Sequence, residues 1–130
     1  MKIRAGLGLV ACAASMPILA NGSWQVIAET PTEVISIDLT SFQRSDELVS
    51  FRERHAMRGG QIDSGSLRPL REVLAKRLVD CSNRRMATLS SAMFSDDGAL
   101  IDYHAVRQRH AEWQLIAKDD LIFRLACERS

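Results

Sequence analysis

Asp97-Gly98 sits between two runs in which apolar and polar residues alternate, and that arrangement obliges the chain to double back on itself. Asp-Gly accommodates the positive backbone angles of the tight turns whose twist matches that of paired strands. Before the turn, Arg84 to Phe94 sets Met86, Thr88 and Ser90 against Ala87, Leu89 and Ser91; after it, Ala99 to Val106 sets Leu100 against Ile101 and Tyr103. Successive side chains on a strand point to opposite faces. An antiparallel hairpin across Asp97-Gly98 is therefore predicted.

The same period recurs upstream. Trp24 to Ala28 is an aromatic and β-branched run ended by Pro31, and Glu33 to Asp38 places Ile35 and Ile37 opposite Ser36 and Asp38. Glu47 to Met57 sets Val49, Phe51, His55 and Met57 against Ser50, Arg52 and Arg54, and Gly59-Gly60 ends it. These segments predict strands. Gly60 to Gly65 is polar and glycine-rich and predicts a loop. Beyond it the pattern is double: Ser66, Pro69 and the spacing Leu67, Leu70, Leu74, Leu78 fit a capped amphipathic helix, while Arg77 to Cys81 fits a strand. Trp113 to Ala117 predicts a further short strand. Asp119 or Asp120 then has the character of an N-cap for a helix over Leu121 to Cys127, with Leu121, Ile122, Leu125 and Ala126 on one face. A strand through Leu121, Phe123, Leu125 and Cys127 is the alternative.

The N-terminus is of a different kind. Lys2 and Arg4 precede an uncharged apolar stretch from Ala5 to Ala20, interrupted by Gly6, Gly8 and Pro17. A spanning helix needs about 20 mostly apolar residues, so the order of charge, apolar run and small residue predicts a secretory signal peptide over residues 1–20. Cleavage is expected between Ala20 and Asn21, or after Gly22. Leu9-Val10-Ala11-Cys12 also matches a lipobox, in which Cys12 becomes a lipidated N-terminus; the alternative is a cysteine inside an ordinary apolar region.

Removing the leader leaves residues 21–130, enough for one domain and one core. The leader holds two of the 17 basic residues and none of the 16 acidic ones, so the remainder carries one net negative charge. Such balance argues against nucleic acid as a partner, no cofactor motif is present in the sequence, and no second stretch approaches membrane-spanning length. Cys81 and Cys127 are then left as a pair, and in an exported chain without a C-x-x-C motif a disulfide is the expectation, two buried free thiols being the alternative. Closing a loop of about 45 residues restricts the unfolded chain by roughly 4 kcal/mol. The predicted fold is α+β: an antiparallel sheet of about five or six strands with a flanking C-terminal helix tied to it by that disulfide.

Several elements together resemble the bacterial surface-adhesin protein E family, small exported domains of Gram-negative bacteria. Trp24-Gln25-Val26-Ile27 resembles its opening strand. Ile37-Asp38 followed by Ser41-Phe42-Gln43-Arg44 resembles its aspartate and serine-apolar-x-arginine element, and Asp80-Cys81-Ser82-Asn83-Arg84-Arg85 resembles its Asp-Cys-x-x-Arg-Arg element; Phe94, Gly98, Trp113 and Cys127 follow in order. The resemblance implies a sheet with a C-terminal helix and a cysteine bridge. It also implies a non-enzymatic binding domain in the periplasm or on the outer surface, contacting a host extracellular or envelope protein. A periplasmic structural or accessory role is the second reading.

An exported hydrolase is the third reading, and it rests on Asp102 and His104, which share a strand face, with His110 nearby in sequence. There is no nucleophile elbow and no metal-ligand spacing to support it. For binding, basic residues concentrate in the middle of the chain, and Arg52, Arg54, Arg84 and Arg85 are the candidate surface for an acidic partner or anionic glycan. The plainer account is a solvated sheet face balanced by Glu47, Glu53 and Glu72, with Arg84-Arg85 making local hydrogen bonds beside Cys81 and both Trp24 and Trp113 in the core.

Overall fold

The computed structural model describes residues 23–128, so the expected leader, its cleavage point at Ala20 and Asn21, and Cys12 lie outside the described residues. The described residues form eight strands: β1 (Trp24–Glu29), β2 (Glu33–Asp38), β3 (Gln43–Ser45), β4 (Leu48–Met57), β5 (Leu70–Asp80), β6 (Arg85–Ser95), β7 (Leu100–Ala105) and β8 (Gln114–Leu115). They make one antiparallel sheet in the order β1-β2-β4-β5-β6-β7, with β3 beside β4 and β8 beside β6.

β2 pairs with the far half of β4 and β3 with Leu48–Ser50, while β7 pairs with residues 90–94 of β6 and β8 with Arg85 and Met86. The sheet is thus six rows wide, and two of its rows are each assembled from two segments. This corrects the expected five or six strands. Segments of two and three residues are too short to display an alternation, so pairing partners and not local pattern create them.

The Asp97-Gly98 hairpin is present, with Gly98 at φ 84° and its amide donating to the Ser95 carbonyl at 2.9 Å. The helix considered for Leu67 to Lys76 is absent: β5 runs through this region and is paired along its length, with β4 on one side and β6 on the other. Pairing to a strand on each side from Glu72 onward outweighs a local helical spacing. Ser66 instead donates its amide to Asp63 Oδ2 at 2.8 Å, and Pro69 bridges to Ile62 across the loop.

The core lies on one face of the sheet, where Ile37, Val49, Phe51 and Val79 meet Phe123 and Ala126. Each large side chain among them contributes roughly 1.5–3 kcal/mol on burial. The covering helix α1 (Leu121–Phe123) is capped by Asp120, whose Oδ1 accepts from the Ile122 amide at 2.8 Å, and it continues as a wider i→i+5 turn over Arg124–Glu128. Of the expected face Leu121, Ile122, Leu125 and Ala126, Ala126 is buried in the core and Ile122 and Leu125 pack against it, and Phe123 joins them in the core. Cys81 and Cys127 are joined by a disulfide with a Cα–Cα distance of 5.7 Å. It ties the end of the helix to the β5–β6 turn.

Candidate functional site

Paired residues in antiparallel strands share a face, so the register assigns every side chain to the helix-covered face or the opposite one. The opposite face carries Trp24 on β1, Arg52 and Arg54 on β4, Leu74 and Lys76 on β5, Ala92 on β6 and Tyr103 on β7. α1 does not cover it, and Tyr103 and Val26 stand 60% and 50% exposed. Between the Trp24 and Tyr103 rings lies a hollow of about 220 Å³ with Leu74, Ala92, Lys76 and Arg52 among its lining residues.

The arginines here have distinct states. Arg52 pairs with Asp38, a carboxylate only 1% exposed that also accepts from the Thr40 amide and hydroxyl at 3.0 and 2.7 Å. Burial pushes the Asp38 carboxyl up, but Thr40 and Arg52 outweigh it and hold the group below its ordinary value. Arg54 lies over the Trp24 ring at 4.5 Å and Arg52 at 5.4 Å. Trp24 is therefore a half-buried platform stacked by arginines and not a core residue, correcting the sequence expectation.

Trp113 departs from the core in the same way. Arg85 lies 4.4 Å over its ring and donates from Nε to Asp80 Oδ2 at 3.1 Å. Asp80 also accepts from Ser82 and Asn83, and these donors, Asn83 foremost, bring its carboxyl down to about 2 against the cost of burial. Arg84 is exposed in the turn with φ 50°. The four arginines singled out from sequence thus separate: Arg52 and Arg54 share the open face beside Trp24, while Arg84 and Arg85 belong to the β5–β6 turn.

The residues of the serine-apolar-x-arginine element hold the fold together. Ser41 Oγ donates to the Asp38 carbonyl at 2.6 Å and accepts from the Arg52 amide at 2.9 Å, and Phe42 meets Phe51 at 5.3 Å between ring centroids. Arg44 reaches the carbonyl of Cys127 at 3.5 Å, at the end of the terminal helix. Charge at that position complements the helix dipole.

On the helix-covered face, beyond the reach of α1, His55 joins two carboxylates: Nδ1 meets Glu33 at 2.9 Å and Nε2 meets Glu53 at 2.6 Å. Glu53 is 4% exposed, so it is not the solvated balancing charge expected from sequence; the register turns it inward. Glu53 foremost, with Glu33, raises the His55 pKa above its ordinary value. Ser91 and Thr88 line the same hollow, but both imidazole nitrogens are already engaged by carboxylates. Neither can take a proton from a hydroxyl, so the cluster is a cross-strand brace.

Asp102 and His104 do share a face, both exposed, and Asp102 Oδ1 accepts from the Tyr103 amide at 2.9 Å. His104 and His110 line one hollow of about 330 Å³ with Glu112, and Asp102 is not part of it. The acid-base pairing considered for Asp102 and His104 with His110 is therefore not assembled in one hollow. Among the described residues no group of three His, Cys, Asp or Glu side chains is placed to hold a metal ion, and no helix is long and apolar enough to cross a membrane.

The family described as surface-adhesin protein E matches residues 24–128. Among solved structures, Haemophilus influenzae protein E is similar at 14% identity over 82% of both chains, with a TM-score of 0.53. Its crystal form II is similar at 12% identity over 83% of this chain and 89% of that one, with a TM-score of 0.56. At these identities the likeness is one of fold. No curated protein matches the sequence significantly.

Proposed function

Because the chain belongs to the surface-adhesin protein E family, we propose that it is an exported, non-enzymatic adhesin that holds a host extracellular protein against the bacterial surface. The observation that carries this reading is the uncovered sheet face, where Trp24, Leu74 and Tyr103 form an apolar strip edged by cations. Exposed apolar strips that include Trp, Tyr and Arg have the composition of protein-binding surfaces. In this reading the leader delivers the chain and is removed between Ala20 and Asn21, and Cys12 leaves with it.

The test uses cells that express the chain and wells coated with extracellular-matrix proteins. Expression should increase cell retention, and Tyr103→Ala and Trp24→Ala should each reduce it at unchanged surface abundance, measured by protease accessibility on intact cells. A chain wholly protected from protease, or retention indifferent to both substitutions, sinks the proposal. Mass spectrometry of the exported protein decides between cleavage at Ala20 and lipid on Cys12.

A further inference from the structure

We infer that the hollow between Trp24 and Tyr103 receives an acidic segment of the partner protein, with an aliphatic side chain entering it and an adjacent carboxylate meeting Arg54 and Lys76. This rests on reading the open face as the contact surface and adds the chemistry of what is contacted. The hollow, at about 220 Å³, has room for side chains and not for a folded element. Leu74 and Ala92 supply apolar lining, and the two rings stand at its sides.

Charge gives the direction. Arg52 is neutralised by Asp38 and Arg85 by Asp80, both acids buried. Arg54 and Lys76 form no ion pair among the described residues. Arg54 is held in place by packing on Trp24, and its Nε is buried without a hydrogen-bond partner. Lys76 is exposed, one pleat along on the neighbouring strand. Glu72, on the same face, is turned to Arg71 at 3.6 Å. The open face therefore offers two uncompensated cations around an apolar hollow, and the complement of that surface is anionic and aliphatic.

A sulfated glycan fits less well. Its affinity draws on many cations, and its hydroxyls would be buried against apolar side chains that cannot hydrogen-bond them. A protein segment with glutamate or aspartate beside leucine or valine satisfies both features.

The experiment titrates the purified full chain with three short synthetic peptides in which leucine alternates with glutamate, glutamine or lysine, and follows the Trp24 indole and Tyr103 signals by NMR. The glutamate peptide should bind about five-fold or more tighter than the glutamine peptide, and the lysine peptide should bind least. Arg54→Gln and Lys76→Gln should each erode that preference. The double change Arg54→Glu with Lys76→Glu should transfer it to the lysine peptide, which a loss of folding could not do. Equal binding of all three peptides overturns the inference, as does tighter binding of a heparin oligosaccharide at the same signals. A glutamate preference in a chain that does not retain cells on matrix upholds the chemistry and sinks the adhesin reading alone.

Discussion

Replacing Asp80 by asparagine should destabilise the domain by about 2.5 kcal/mol at neutral pH, and the loss should shrink in acid. The magnitude comes from the cluster that closes the β5–β6 turn. Asp80 is 5% exposed and accepts hydrogen bonds from Ser82 Oγ, the Asn83 amide, Asn83 Nδ2 and Arg85 Nε, all between 2.9 and 3.3 Å. These hold the carboxyl at about 2 instead of 3.8. Because the folded value lies below the unfolded one, the stabilisation is complete above the unfolded value and is lost as pH falls through the folded one. At pH 3 about half of it, roughly 1.3 kcal/mol, should remain. An asparagine amide presents donors where Asn83 Nδ2 and Arg85 Nε already donate, so it cannot replace the anion. Urea unfolding of both proteins at pH 7 and pH 3, followed by tryptophan fluorescence, measures the difference. A gap under about 0.5 kcal/mol at pH 7, or one that does not narrow at pH 3, refutes the claim that the charged form holds the turn.

Other outcomes follow from the same structure. Removing the disulfide by Cys81→Ser with Cys127→Ser should cost about 4 kcal/mol, because the loop it closes is 46 residues long; a urea midpoint that moves by less than about 1 kcal/mol equivalent would count against it. His55, raised above its ordinary value by Glu53 and Glu33, contributes stability that is complete below pH 6.5 and lost as pH rises through its folded value. An NMR titration placing His55 below 6.5, or a stability profile unaltered by His55→Gln, contradicts this. Arg84, at φ 50°, should be replaceable by glycine with a gain of about 0.5–1 kcal/mol in thermal unfolding, whereas alanine gains nothing. A stabilising alanine would show that charge and not backbone conformation dominates there.

Much of the scaffold was legible because it depends on neighbours in the chain. The Asp97-Gly98 turn, the alternations of β2, β4, β6 and β7, and the Asp120 cap are local devices whose geometry is written within a few residues. The pairing of Cys81 with Cys127 followed once the leader was set aside, since only two cysteines remained.

What sequence left open depends on contacts between distant segments. Leu70 to Lys76 becomes strand because β4 and β6 flank it on both sides, and a helical spacing of leucines does not reveal two future neighbours. Glu53 turns inward because β4 is paired in a register that sets it beside Ile37 and Ala75 on the core face, and Trp24 becomes a platform because arginines two rows away lie across it. The antiparallel sheet and the capped start of the terminal helix could be read from the chain alone, since each rests on periodicity or turn chemistry within a short window. Which cations on the open face are paired with an acid emerges only when distant strands come together. Arg52 finds Asp38 fourteen residues away, while Arg54 and Lys76 form no ion pair among the described residues, and such pairing is settled by strand register, which no local window contains.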